Sequence, residues 1–72
     1  LILLDVIMPD LDGYTVCRKI KDIDELVDIP IIFVTASLDQ QDEVKGFEAG
    51  AVDFIQKPVN TLITRARVRT HI

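Results

Sequence analysis

Cysteine is nearly missing from this chain: Cys17 stands alone, so no internal disulfide can form and a reducing cytoplasm is the compartment to expect. No apolar run approaches the ~20 residues of a membrane-crossing helix, and the opening residues carry no signal-peptide pattern. Low-complexity tracts are absent as well. Acids are missing from the last part of the chain. All 12 precede Lys57, whereas four of the eight bases (Lys57, Arg65, Arg67, Arg69) lie from 57 onward. With a net charge of −4 the body is acidic, which argues against nucleic acid as a partner. The late arginines suit a helix C-terminus that they complement electrostatically. What remains is 72 residues, 49% hydrophobic and 28% charged, the composition of a single small folded domain. A chain this short buries only ~60% of its unfolded surface, so its core is marginal.

The organising stretch is LILLDVIMPDLDG, residues 1–13. Leu1–Leu4 are apolar on both faces, as in a strand of a parallel sheet covered by helices on each side. Asp5 then falls at the strand's carboxyl end, the side on which open α/β sheets bind ligands. Read alone, it is equally a solvated acid that ends a strand. Met8-Pro9 turns the chain, because proline cannot donate to a ladder. A helix follows from about Tyr14 to Lys21, with Asp12 as N-cap and Val16, Cys17 and Ile20 facing inward. Asp22–Asp28 is an acidic connection. Ile31–Val34 is a second buried strand ending at Thr35. The next helix begins within Ser37–Gln41 and runs to about Ala49, with Val44, Phe47 and Ala51 on its apolar side and Gly50 as a left-handed cap. Val52–Gln56 is a third strand, followed by Lys57-Pro58. Asn60 caps a last helix with two apolar rows, Leu62/Ala66 and Thr64/Val68/Ile72. This alternation of strand and helix implies an α/β fold with parallel strands.

Parallel strands bring their carboxyl ends to one edge, and right-handed crossovers set them side by side. Asp5, Thr35 and Lys57 each lie at such an end or one residue beyond. A carboxylate can serve as nucleophile or metal ligand, a hydroxyl can donate a hydrogen bond, and an ammonium can hold anionic oxygens. Thr35 alone is simply a β-former and Lys57 a solvated amine; the joint placement is what points to chemistry.

At these residues the sequence resembles the receiver domain of two-component response regulators. LLDVIMPDLDG looks like the phosphoacceptor segment, IPIIFVTA like the strand with the family's hydroxyl residue, and GFEAGAVDFIQKP like the segment ending in its lysine and proline. The resemblance implies a flavodoxin-like/CheY-like doubly wound parallel sheet, with strand order 2-1-3-4-5. Residues 1–72 correspond to the C-terminal portion of a single receiver domain, its last three strand–helix units. The first strand, first helix and second strand have no counterpart, and with them the acidic pair that binds magnesium. The resemblance further implies that Asp5 is the phosphoacceptor, taking a phosphoryl group from a sensor histidine kinase or phosphotransfer protein. Mg2+ would be held by Asp5, the Ile7 backbone carbonyl and the acidic ligands absent from this chain. Lys57 and Thr35 would contact the phosphoryl group. Phe54 would be the switch aromatic, with Thr35 as its companion; plain core packing is its bland alternative. Signalling would use the last strand with its flanking helices, in a homodimer and through an output domain. The Lys57-Pro58 peptide is expected to be cis, as is usual in the family. The closing segment resembles receivers joined to cyclic-nucleotide-turnover or kinase domains.

On this reading the protein is not an enzyme acting on an external substrate. One rival is a phosphorylation-independent interaction or dimerisation domain of the same fold. Another is a hydrolase of the haloacid-dehalogenase type, disfavoured because such enzymes carry a second aspartate where Ile7 stands. Phe33 and Phe47 read as core, Cys17 and His71 as structural or incidental. The isolated 72 residues are expected to be a poor switch, because Leu1–Leu4 would form a flat aliphatic edge open to pairing with another chain.

Overall fold

The computed structural model describes residues 1–8, 11–36 and 39–72. Strands β1 (Ile2–Asp5), β4 (Ile31–Thr35) and β5 (Asp53–Gln56) form a parallel sheet in the order β1-β4-β5. Between β1 and helix α1 (Gly13–Lys21), β2 (Ile7–Met8) and β3 (Leu11–Asp12) pair as a two-residue antiparallel hairpin. Helices α2 (Gln40–Ala49) and α3 (Thr61–Thr70) follow β4 and β5. Among the described residues no helix is long and apolar enough to cross a membrane.

Local chemistry sets the helix ends. The Asp12 carboxylate accepts the Tyr14 N–H at 3.0 Å, Asp39 accepts Asp42 N–H at 2.8 Å and Asn60 accepts Ile63 N–H at 3.1 Å. Each satisfies a helical amide that has no partner within its own helix. Gly50 ends α2 at φ 111°, the left-handed cap expected of it. The turn expected at Pro9 and the helix start at Ser37 lie outside the described residues; α2 begins at Gln40 behind its Asp39 cap.

Helices α1 and α2 cover one face of the sheet. Tyr14, Cys17, Ile31, Phe33, Ala49, Ala51 and Phe54 form the core there, with Ile2, Leu4, Val6 and Ile20 packed against it. Phe33 lies 5.2 Å from the Tyr14 ring and 5.7 Å from the Phe54 ring. Two readings are corrected. β1 is not buried on both faces: Ile2 and Leu4 reach the core, but Leu3 is exposed, because among the described residues the helix on the opposite face, α3, packs on β5. Phe47 and Val44 are half exposed, and the residues α2 buries are Gly46 and Ala49. In α3 the Thr64–Val68 row is partly buried, while Leu62, Ala66 and Ile72 are exposed. The Lys57-Pro58 peptide is cis.

Candidate functional site

At the carboxyl edge of the sheet, Asp5 is the last residue of β1, Thr35 the last of β4, and Lys57 the residue following β5. Asp5 pairs in register with Val34, and Thr35 with Gln56, so the three positions fall at one level. Because β4 is the middle strand, Thr35 stands between the other two. The Lys57 N–H donates to the Thr35 carbonyl at 2.7 Å, which carries the ladder one residue past β5. From there its ammonium reaches Asp5 Oδ2 at 2.6 Å. This sequence-predicted pair meets through its side chains. Thr35 is buried, and lines a cavity of about 360 Å³ together with Val6, Ile7, Asp12, Tyr14, Ala36, Asp42 and Lys45.

The second carboxylate oxygen, Asp5 Oδ1, accepts the Ile7 N–H at 3.1 Å. The hydrogen bond from Lys57 holds the Asp5 carboxyl below its ordinary pKa, helped by Ile7 and opposed by a smaller effect of burial. The group is therefore an ionised carboxylate at neutral pH, and its side chain remains 38% exposed. The hairpin is tied by the Gly13 N–H on the Val6 carbonyl at 3.0 Å, so this rung uses Val6 and not Ile7.

Gly13 is a site-positioning residue that composition and spacing did not single out. A Cβ there would lie 2.5 Å from the Asp5 carbonyl oxygen and 2.9 Å from Val6 Cα. Only glycine lets α1 start this close behind the strand that carries Asp5. A signal existed in Asp12-Gly13 following directly on a strand-and-turn pattern.

Phe54 is buried, with its ring 5.3 Å from that of Phe47 in an edge-on arrangement. His71, read as structural or incidental, takes a structural place beside Asp53: its Nε2 lies 3.1 Å from Asp53 Oδ2, while Arg67 donates to Oδ1 at 2.7 Å. Burial by itself would raise the Asp53 pKa, but bonds from the Phe54 N–H, His71 and Arg67 outweigh it and the net direction is down.

The chain matches the family described as "Response regulator receiver domain" over residues 1–69. It is 47% identical over 70 residues to Response regulator PleD of Caulobacter vibrioides, a match covering 97% of this chain and 15% of PleD. The BeF3-activated receiver domain of DrrB, from Thermotoga maritima, is similar in structure, with a TM-score of 0.86 and 41% identity over 97% of this chain and 59% of that one. Chemotaxis protein CheY4 of Vibrio cholerae has a TM-score of 0.92 at 19% identity, covering 99% of this chain and 60% of its own. That likeness shows the flavodoxin-like, CheY-like fold. The chain thus spans less than two thirds of the length of each of these relatives. The family match and these likenesses extend over nearly the whole chain, and on that ground the chain belongs to the response regulator receiver domain family.

Proposed function

We propose that this chain is the phosphoacceptor part of a two-component receiver, and that Asp5 takes a phosphoryl group from a phosphohistidine of a sensor histidine kinase or phosphotransfer protein. Receiver domains are in general phosphoacceptors and not enzymes, and they generally bind Mg2+. The observation that carries the reading is the Lys57 ammonium 2.6 Å from an exposed, ionised Asp5 carboxylate at the carboxyl edge of the sheet. In the transfer, an Asp5 oxygen forms a bond to phosphorus as the P–N bond to the donor imidazole breaks; the ring, already protonated on its other nitrogen, takes the bonding pair and leaves as neutral imidazole, and Asp5 becomes an acyl phosphate. Positioning and charge neutralisation do most of such a step. The Ile7 N–H orients the carboxylate, and Lys57 stands where negative charge collects on the phosphoryl oxygens. The Thr35 hydroxyl would then donate to a phosphoryl oxygen. Phe54, on β5, would report the change to the face made by α2, β5 and α3. A phosphate brings ~1.5–2 negative charges, enough to bias a two-state element.

Asp5 and the Ile7 carbonyl are hard oxygen donors of the kind magnesium takes. They fit the ion in kind and supply part of its shell. Among the described residues no three His, Cys, Asp or Glu side chains gather to complete it; on the family resemblance the remaining acidic ligands would come from the part of a receiver domain that precedes Leu1. When bound, the ion would neutralise charge on the phosphoryl oxygens. A homodimer through the α2-β5-α3 face, an output domain and a cytoplasmic setting complete the proposal. In the full-length protein, Asp5→Asn should abolish labelling by acetyl phosphate in magnesium buffer. Undiminished labelling of that variant refutes the assignment. Failure of the unsubstituted protein to label would favour the phosphorylation-independent interaction domain.

A further inference from the structure

We propose that Asp53, held by Arg67 and His71, is a latch that closes the free edge of β5 against pairing with a strand of a second copy. Among the described residues β5 pairs only with β4, so its other side is a sheet edge. Such an edge offers unpaired backbone groups to any extended chain. The Lys57 N–H donates to the Thr35 carbonyl of β4, and N–H groups alternate in direction along a strand. Counting back from Lys57, the Phe54 N–H points away from β4, to the free side.

That N–H is already engaged. It donates to Oδ1 of the preceding residue, Asp53, at 2.8 Å. The carboxylate in turn is gripped by the last turns of α3: Arg67 Nη1 lies 2.7 Å from Oδ1 and His71 Nε2 3.1 Å from Oδ2. Both Asp53 and His71 are partly buried, with side chains 24% and 23% exposed. An incoming strand would need the Phe54 N–H for its own carbonyl. It would have to displace a charge-assisted acceptor and detach the end of α3 to get it. The latch therefore links a single backbone amide of the edge to the helix that follows it. It uses none of the groups at Asp5, and it holds or fails independently of the phosphorylation reading.

The test is amide hydrogen exchange in the full-length protein, read on the peptide containing Phe54, with light scattering alongside. Asp53→Ala should speed exchange at Phe54 by about tenfold or more, and should give larger species than the unsubstituted protein at equal concentration. Unchanged exchange at Phe54, or faster exchange with no growth in size, overturns the proposal. Should Asp53→Ala fail to fold, the double substitution Arg67→Gln with His71→Gln leaves the carboxylate in place but unheld. It should also speed Phe54 exchange, by a smaller factor; unchanged exchange there again overturns the proposal.

Discussion

Replacing Gly46 by alanine should lower stability, although alanine is the better helix former. In an exposed helix the exchange favours alanine by ~0.8–1.0 kcal/mol. Gly46 lies in the middle of α2 and is buried, because the helix rests there on the aromatic core. A Cβ at this position would overlap Phe54 Cζ and stand 3.1 Å from both Phe33 Cδ2 and Phe54 Cε1. These are ring atoms, so whole side chains must move. Overpacking a formed core costs ~1–3 kcal/mol. Taking the middle of that range, ~2 kcal/mol, against the helix gain leaves a net loss of about 1 kcal/mol. Urea unfolding of the receiver unit in the full-length protein reads this as a lower midpoint with the slope unchanged. The double variant Gly46→Ala with Phe54→Leu supplies the control. If the Phe54 ring is the obstacle, the two changes will be non-additive, with the alanine costing less once the ring is gone. Gly46→Ala at or above the stability of the unsubstituted protein, or strict additivity with Phe54→Leu, would refute the reasoning.

The same glycine shows where reading from sequence reaches its limit. Caps at Asp12 and Asn60 and the left-handed Gly50 were legible because each acts within a few residues of its own backbone. The edge holding Asp5, Thr35 and Lys57 was legible too, since a parallel sheet forces carboxyl ends together whatever the loops do. The buried side of α2 was not. Hydrophobicity pointed to Val44 and Phe47, yet both are half exposed and the helix turns Gly46 and Ala49 inward. Small residues win there because the Phe33 and Phe54 rings already fill the space, and close approach leaves no mark in hydropathy. Gly13 was missed for the same reason. The Asp53–Arg67–His71 cluster needs α3 laid along β5 before its members, 14 and 18 residues apart, can meet.

Two further outcomes test the electrostatics. Lys57→Ala should raise the Asp5 pKa toward the ordinary carboxylate value, since the Lys57 hydrogen bond is the main cause of its depression; an unchanged carboxyl titration by carbon NMR would refute that. For Asp53 the sign follows from a folded-state pKa below the unfolded one. Its stabilising effect is fully present above the unfolded value of ~3.9 and is lost as pH falls through the folded value, because protons then bind the unfolded chain more readily. Neutralising the carboxylate removes the charge that strengthens its bonds to Arg67, His71 and the Phe54 N–H, so the end of α3 should loosen from β5 in acid before the aromatic core opens. Asp53→Asn, which carries no titrating group there, should show that loosening already at neutral pH. The stability gap between it and the unsubstituted protein should therefore close as pH drops below ~4. A gap that stays constant from pH 7 to pH 3 would mean that the charge on Asp53 does not hold the helix.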